Sequence, residues 1–370
     1  MAFITLDSDK LTSNYERLDK LFDKKNIDWA IVTKLLCGSE VFLEELLKLP
    51  CQQVCDSRIR HLEAIKNIRP EIKTIYIKPP AEESIEEIVR YADISMNTQI
   101  ETIKLLSEEA VKQDKTHKII ITIEMGELRE GVVADDVINF YEKVFQLENI
   151  EVVGLATNLA CLYGVLPNND KLIQLSLYKQ LIEAKFNKKI PLVSGGTSVT
   201  IPLIEEQILP KGINHFRVGE TLFLGTDVYH NDTYKNLHNN VFRLFAQIIE
   251  IFEKPSQPQG EMGYNVQGEK YEYEDDKGFE KRYRAIVDLG SLDVDEEHIG
   301  LKDDAMEIAG ASSDMLVIDL GNNDKQYSVG DVIEFTMDYM GTLRVINSRY
   351  VEKVIHDDEN HLVELIEERA

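Results

Sequence analysis

A lysine at the end of the first long apolar run is a candidate for covalent chemistry. Lys34 directly follows Trp29-Ala30-Ile31-Val32-Thr33, so the pattern places it at the carboxyl end of a strand. Partial burial lowers the pKa of an amine and makes it nucleophilic, so a lysine in this position can form a Schiff base with a carbonyl group. The alternative is a lysine that leaves the strand for solvent.

Two later segments have the composition of a phosphate site. Ser194-Gly195-Gly196-Thr197-Ser198 follows one apolar run, and Arg217-Val218-Gly219-Glu220 ends the next. Glycines let backbone N–H groups approach an anion, while Ser194, Thr197 and Ser198 add hydroxyl donors. A simple turn is the alternative for the glycine pair taken alone.

An arginine between glycines forms a third candidate. Arg129 lies in Met125-Gly126-Glu127-Leu128-Arg129-Glu130-Gly131, again just after an apolar run. A guanidinium there can bind a carboxylate through two parallel hydrogen bonds. The alternative is a surface salt bridge to Glu127 or Glu130.

These candidates need a scaffold that brings strand ends together, and the apolar pattern predicts one. Short apolar runs alternate with amphipathic stretches such as 84–91 and 100–111, which is typical of βα units. Eight units close a (β/α)8 TIM barrel, whose chemistry lies at the carboxyl ends of the strands. The eight runs begin near Asp28, Gln52, Lys73, Asp93, Lys118, Glu151, Pro191 and Asn214.

The pattern changes after about Asp227, which predicts a mostly β C-terminal domain in an α/β protein. The expected division is a barrel at 9–228 and a mainly β domain at 229–370 joined by residues 1–8. A long loop is expected from 255 to 278. The expected strands of this domain are 3–6, 241–252, 285–289, 315–320, 332–337 and 344–351.

Composition excludes several function classes. With 41 Lys+Arg against 66 Asp+Glu the formal charge is −25, and no basic block is present, so neither nucleic acid nor a membrane is an expected partner. Four cysteines without a C-x-x-C pair and eight scattered histidines predict no metal site. The first residues lack a signal peptide and no apolar run is long enough to span a bilayer, so a cytoplasmic location is expected.

A lysine, a phosphate-binding segment and a carboxylate-binding arginine together describe a pyridoxal phosphate pocket that acts on an amino acid. The chain resembles the alanine racemase-like, fold-type III pyridoxal phosphate enzymes, and in particular their ornithine/alanine racemase branch. The resemblance extends over nearly the whole length. It rests on seven motifs in order: Val32-Thr33-Lys34-Leu35-Leu36-Cys37-Gly38, Asp56-Ser57-Arg58, Gly126-Glu127-Leu128-Arg129-Glu130-Gly131, Thr157-Asn158-Leu159, Ser194-Gly195-Gly196-Thr197-Ser198, Arg217-Val218-Gly219-Glu220 and Gly310-Ala311-Ser312-Ser313-Asp314.

The resemblance implies a role for each candidate. Lys34 would hold the cofactor covalently and move the α-proton on one face. Ser198 and the backbone of Gly219 and Glu220 would receive the phosphate, while Arg129 would approach the phenolic oxygen of the cofactor and the substrate carboxylate.

The resemblance also places Asn158 beside the cofactor ring and Arg217 at its pyridine nitrogen. A permanently charged arginine disfavours a protonated pyridine, so the ring withdraws electrons less strongly. Reversible proton transfer is then favoured over decarboxylation, for which enzymes of this fold carry a glutamate. His215, two residues before Arg217, is expected in the core rather than in the pocket.

The chain departs from the family at the second catalytic base. Alanine racemases carry a Gly-Tyr-Ala-Asp motif whose tyrosine serves the opposite face, and here Leu289-Gly290-Ser291-Leu292-Asp293 stands in its place. Lys34 serving both faces and a water molecule are two of the open alternatives. The side chains that are candidates for this second proton transfer are Ser291, Asp293, Ser312 and Asp314.

A second departure lies four residues after the lysine, where Gly38 replaces the family's tyrosine. The loss of that side chain is expected to open the pocket for a longer substrate such as ornithine or lysine.

The sequence therefore predicts a pyridoxal phosphate-dependent amino-acid racemase of the ornithine, lysine or alanine class. The family implies a homodimer in which the β domain of one protomer closes the barrel of the other. The alternatives are a decarboxylase or aldolase of the same fold and a non-catalytic carrier of pyridoxal phosphate.

Overall fold

A computed structural model describes residues 1–265, 268, 270–271 and 280–369. The chain divides into two compact units, one of Leu11–Asn239 and one of Met1–Lys10 with Asn240–Ala370. The first unit includes residues 229–239, where the Asn14 amide donates to the carbonyl of His238 at 2.9 Å. Within the expected loop of 255–278, residues 266–267, 269 and 272–278 lie outside the described residues.

The described elements are numbered along the chain. The strands are β1 (Phe3–Asp7), β2 (Asp28–Val32), β3 (Gln53–Asp56), β4 (Lys73–Tyr76), β5 (Ile94–Asn97), β6 (His117–Thr122), β7 (Ile150–Ala156), β8 (Leu192–Ser194), β9 (Gly196–Thr197), β10 (His215–Val218), β11 (Thr226–Asp227), β12 (Asp232–Thr233), β13 (Phe242–Pro255), β14 (Lys281–Val287), β15 (Ile299–Leu301), β16 (Glu307–Ala311), β17 (Leu316–Asp319), β18 (Val332–Met337) and β19 (Glu352–His356). The α-helices are α1 (Ser8–Asp23), α2 (Glu40–Leu46), α3 (Ile59–Ile68), α4 (Ile85–Tyr91), α5 (Ile100–Lys112), α6 (Val137–Val144), α7 (Asn169–Phe186), α8 (Ile201–Glu205), α9 (Glu220–Leu224), α10 (Tyr339–Asn347) and α11 (Glu359–Glu367). Among the described residues, none of these helices combines the length and apolar character needed to cross a membrane.

The first unit is a parallel barrel. Its strands follow the order β8-β7-β6-β5-β4-β3-β2-β10-β9. Only Gly195 separates β8 from β9 in the sequence, so the two ends of the sheet meet and the barrel is nearly closed. Each of the eight predicted apolar runs contains a strand, which confirms the predicted fold class.

Alternation along the strands produces the barrel interior, because successive side chains of a strand point to opposite faces. The residues that pack together there are Ala30, Val32, Cys55, Ile75, Ile94, Met96, Ile120, Val153 and Ala156. The amphipathic segments form the outer helices, as predicted. In α5 the buried positions Ile103, Leu106, Ser107 and Ala110 recur at helical spacing.

The second unit is built on a mainly antiparallel sheet in the order β15-β18-β13-β14-β17-β16. Strand β1 pairs antiparallel with β13 and parallel with β19, so the prediction that 3–6 joins the β domain is confirmed. The predicted strand at 344–351 is wrong, since α10 continues to Asn347 and β19 begins at Glu352. The Asp338 side chain caps this helix by accepting from the Gly341 N–H at 2.7 Å.

Candidate active site

A buried carboxylate fixes the turn that carries Lys34. Strand β2 ends at Val32, and Thr33–Leu36 form a single 3₁₀ turn. The Thr33 hydroxyl donates to Oδ2 of Asp56 at 2.7 Å, and the Asp56 side chain is fully buried. The backbone N–H of Arg58 donates to the other oxygen of this carboxylate at 2.8 Å. The end of β3 thereby holds the lysine turn at the carboxyl end of β2.

A pocket of about 320 Å³ brings together four of the residues proposed from the sequence, namely Lys34, Arg129, Asn158 and Arg217. They come from distant parts of the chain, and the barrel aligns them. The sequence analysis proposed no binding or catalytic role for the other lining residues, which are Ser57, Ile77, Lys78, Pro79, Met96, Glu130 and Cys161.

Side chains surround the guanidinium of Arg129. Its Nε and Nη2 donate to the two carboxylate oxygens of Glu130, and its Nη1 donates to Sγ of Cys161 at 2.6 Å. The side-chain amide of Asn158 is oriented with its oxygen towards Arg129, and this oxygen accepts from Nη1 of Arg129 at 3.3 Å and from Nη2 at 3.1 Å. Hydrogen bonding to Glu130 raises the pKa of Arg129 although burial opposes it, so the group is permanently charged.

A second glutamate fixes the segment that carries Cys161. The Glu127 carboxylate is 1% exposed and accepts five backbone N–H groups. Burial alone would raise the pKa of Glu127, but these N–H groups outweigh it and lower the pKa to about 2. The donors are the N–H groups of Ala160 (3.1 Å), Cys161 (2.9 Å), Leu162 (2.5 Å), Tyr163 (2.8 Å) and Val165 (3.0 Å).

Arg217 is a buried cation held by neutral acceptors. Its side chain donates from Nη1 to the carbonyl and the hydroxyl of Ser194 and from Nη2 to the carbonyl of Thr157 at 2.8 Å. Burial lowers the pKa of Arg217. Within the described part of the chain no carboxylate forms an ion pair with it, so its direct hydrogen-bond partners are all neutral.

Behind Arg217, a polar chain runs through the barrel interior. Because arginine can only donate, the Ser194 hydroxyl accepts from Arg217 and its own proton points to Nδ1 of His215 at 2.7 Å. The Nε2–H of His215 then donates to Gln53 at 3.4 Å. Burial lowers the pKa of His215 to about 3, so the imidazole is neutral. His215 lies in the core, as predicted.

The segments proposed for phosphate form connected turns. Thr197 caps the turn at 198–200, where its N–H donates to the Thr200 hydroxyl at 3.2 Å. The Ser198 hydroxyl accepts from the N–H of Thr221 at 3.3 Å, which joins this turn to the start of α9. A Cβ at Gly219 would lie 3.0 Å from Val32, so glycine fits closely there. The Glu220 carboxylate accepts from the Thr226 hydroxyl at 3.3 Å.

The candidates for the second base belong to the second unit. Asp293 accepts from the Ser348 hydroxyl at 2.5 Å and Asp314 from the Ser313 hydroxyl at 2.8 Å. Ser291 is exposed, and its N–H donates to the carbonyl of Ser312 at 3.0 Å.

Gly38 does not leave open space, which corrects the sequence-based expectation. A Cβ at this position would lie 2.5 Å from Cδ2 of His61, and the backbone φ of Gly38 is +75°. The imidazole of His61 is fixed there by Asp56, whose Oδ1 lies 3.0 Å from its Nδ1. The imidazole of His61, from α3, therefore occupies the space beside Gly38.

Outside the pocket, His298 lies close to two carboxylates that are also its neighbours in the sequence. Ligand atoms of Asp295, Glu297 and His298 lie within 4.8 Å of one another. Existing ion pairs account for two of them, since Arg344 contacts Asp295 at 2.6 Å and Nδ1 of His298 lies 2.8 Å from Asp338.

Comparison of the sequence with known families gives a match over most of the barrel. Residues 6–227 match the family described as alanine racemase, N-terminal domain. The chain is 38% identical to the ornithine racemase of Acetoanaerobium sticklandii over 351 residues, which cover 95% of this chain and 98% of that protein. It is 32% identical to the lysine racemase of Thermotoga maritima over 345 residues, or 93% of this chain and 96% of that protein.

Solved structures share the fold at much lower identity. The alanine racemase of Clostridium difficile 630 superposes with a TM-score of 0.74 at 15% identity, over 96% of each chain. The alanine racemase of Bartonella henselae, described with covalently bound pyridoxal phosphate, gives a TM-score of 0.72 at 15% identity over 96% of this chain and 99% of that one.

Proposed function

The chain belongs to the alanine racemase family and is an amino-acid racemase, and we propose that it uses pyridoxal phosphate to interconvert the L and D forms of a diamino acid such as ornithine or lysine. The observation that carries the proposal is the convergence of Lys34, Arg129 and Arg217 on one pocket at the carboxyl ends of the barrel strands. The names of the two relatives support the choice of a diamino acid.

The residues of the pocket fit this cofactor. Arg217 is a buried donor without a carboxylate partner among the described residues, which suits a neutral acceptor such as the pyridine nitrogen. The Thr157 hydroxyl beside it is buried and makes no hydrogen bond within the described residues. Lys34 would hold the cofactor covalently, and Asn158 would lie at its ring.

The phosphate would lie on the connected turns. Thr197 and Ser198 surround the start of the 198–200 turn, and Ser198 already contacts the N–H of Thr221. The backbone of Gly219 and Glu220 borders this place. The Ser194 hydroxyl accepts a hydrogen bond from Arg217, so Ser194 would act on the cofactor through that arginine.

Once bound, pyridoxal phosphate withdraws electrons from the Cα–H bond of the amino acid and makes the α-proton acidic. The Lys34 amine accepts this proton on one face and can return it. Ser291, Asp293 and Asp314 are the proposed donors for the opposite face. Arg217 would hold a permanent cation beside the pyridine nitrogen, which would favour proton return over loss of carbon dioxide.

We further propose that the enzyme works as a homodimer in the cytoplasm. The family resemblance supports the dimer, and the absence of C-x-x-C pairs and of disulfides among the four cysteines is in keeping with a reducing compartment.

The decisive experiment follows the α-proton. Purified protein loaded with pyridoxal phosphate is incubated in deuterated water with L-ornithine, L-lysine and L-alanine, and NMR and chiral chromatography follow exchange and inversion. We expect exchange together with the D isomer. Exchange without inversion would contradict racemisation, and carbon dioxide release would favour a decarboxylase.

A lysine pair in the same pocket provides the matched control. Lys34→Arg should abolish both the cofactor's absorbance and α-proton exchange, because its guanidinium cannot hold the cofactor covalently. Lys78→Arg, at the second lysine of the lining, should retain both. An equal loss of cofactor absorbance and α-proton exchange in the two variants would contradict the proposed role of Lys34. A wild type that binds the cofactor but catalyses no exchange would favour a carrier.

A further inference from the structure

The guanidinium of Arg129 has no unused donor for an incoming carboxylate. An arginine has five N–H groups. Two bond to Glu130, one to Cys161 and two to Asn158. A substrate carboxylate can therefore bind Arg129 only by displacing one of these partners. Glu130 is the one it matches chemically, because both are carboxylates that use the same edge of the guanidinium.

Displacement from Arg129 would leave the carboxylate of Glu130 without its ion-pair partner. Its side chain is 16% exposed and lines the pocket, where it is the single carboxylate among the described lining residues. A carboxylate that loses its partner in such a place is strongly unfavourable. Lys78 lines the same pocket but is exposed, so an ion pair with it would be screened by solvent.

We propose that Glu130 determines specificity by accepting the side-chain ammonium of a diamino acid after the substrate carboxylate has replaced it on Arg129. This inference rests on the proposed function and names the residue that selects the substrate class. The exchange starts with one internal ion pair and ends with two, Arg129 with the carboxylate and Glu130 with the ammonium. An amino acid with an apolar side chain leaves Glu130 unpaired and is disfavoured.

Ornithine and norvaline test the proposal, because they share a carbon chain and differ by the terminal amine. The holoenzyme is assayed with both, and kcat/KM is compared between the wild type and Glu130→Gln. We expect the wild type to prefer ornithine and the variant to lose at least about 30-fold of that preference, mostly through KM, as is usual when one partner of a buried charge pair is removed. Glu142→Gln removes an exposed carboxylate from α6 and is the matched control.

Two results would overturn the proposal. One is a wild type that racemises norvaline as well as ornithine. The other is a Glu130→Gln variant that loses activity equally on both substrates, which would make Glu130 only a support for Arg129. If Glu130→Gln does not fold, Glu130→Met, which is neutral and similar in size, is assayed in its place with the same expected and overturning results. A wild type that racemises no amino acid would instead refute the proposed function itself.

Discussion

Replacing Glu127 by glutamine should release the segment 160–165 while leaving the barrel folded. In the native protein Oε1 accepts from three backbone N–H groups, and Oε2 accepts from Ala160 and Val165. A glutamine offers one oxygen, so its NH₂ group must face at least two N–H donors. The Ala160 N–H has a second acceptor in the carbonyl of Val165 at 2.9 Å, which leaves the Val165 N–H as the main loss.

The size of the effect follows from these two donors. A buried N–H without an acceptor costs about 1–3 kcal/mol, and the shared Ala160 bond keeps the sum near the lower end, at about 2–3 kcal/mol. Because about 1.4 kcal/mol corresponds to a tenfold change, amide exchange in 160–165 should accelerate by about 30- to 150-fold. Since Asn158 and Cys161 contact Arg129, KM for the amino acid should rise more than kcat falls.

Hydrogen exchange followed by mass spectrometry measures this directly. Glu124→Gln is the control from the same loop, since a single oxygen of Glu124 accepts the N–H groups of Gly126 and Leu128 and a glutamine can keep both bonds. Unchanged protection of 160–165 in Glu127→Gln, or equal loss in both variants, would refute the reasoning.

The pH dependence of stability tests the role of the Glu127 carboxylate independently. The pKa of Glu127 is lowered from 4.5 to about 2, so its contribution to stability is complete above pH 4.5 and is lost as the pH falls towards 2. The difference between the wild type and Glu127→Gln should therefore vanish at the acid end of that range.

Three further predictions concern the barrel. The pKa of His215 is lowered by burial from 6.5 to about 3, so between these values the unfolded chain binds a proton that the native state does not bind. The free energy of unfolding should therefore fall as the pH drops from 6.5 to 3. His215→Gln should reduce that fall, measured by urea titration at each pH. Gly38→Ala should cost about 1–3 kcal/mol because of its positive φ and the contact with His61, and adding His61→Ala should restore only the part due to the contact, measured as Tm. Ser194→Ala leaves a donor of Arg217 without its acceptor and should weaken pyridoxal phosphate binding by about 5- to 150-fold in absorbance titrations, a loss of about 1–3 kcal/mol.

The fold could be predicted because its signals are local. Eight of the nine described barrel strands lie in short apolar runs, and segments with helical periodicity separate these runs, so the count of eight βα units follows from neighbouring residues alone. The segment 344–351 shows the limit of that signal. Val345 and Ile346 favour a strand by composition, but the cap at Asp338 starts a helix that extends through them.

The lining of the pocket could be predicted where a single residue type following a strand carries the information. Lys34 and Arg217 satisfy that condition. Glu127 does not, because its partners are backbone N–H groups more than 30 residues further along the chain, and backbone groups leave no mark in the sequence. His61 was not predicted for a related reason, since its contact with Gly38 joins residues that are far apart in the sequence.

The two arginines of the pocket differ in what holds them, and this difference supports the different tasks proposed for them. Arg217 is 5% exposed and donates to the backbone carbonyls of Ser194 and Thr157, which cannot move without moving the barrel strands. The side chain of Arg129 is 35% exposed and donates to the side chains of Glu130, Cys161 and Asn158, which can rotate away. A fixed donor suits a resident group such as a cofactor, because each departure would leave a buried cation unsatisfied. A donor with movable partners suits a substrate that binds and leaves in every turnover, because the partners return when the substrate departs.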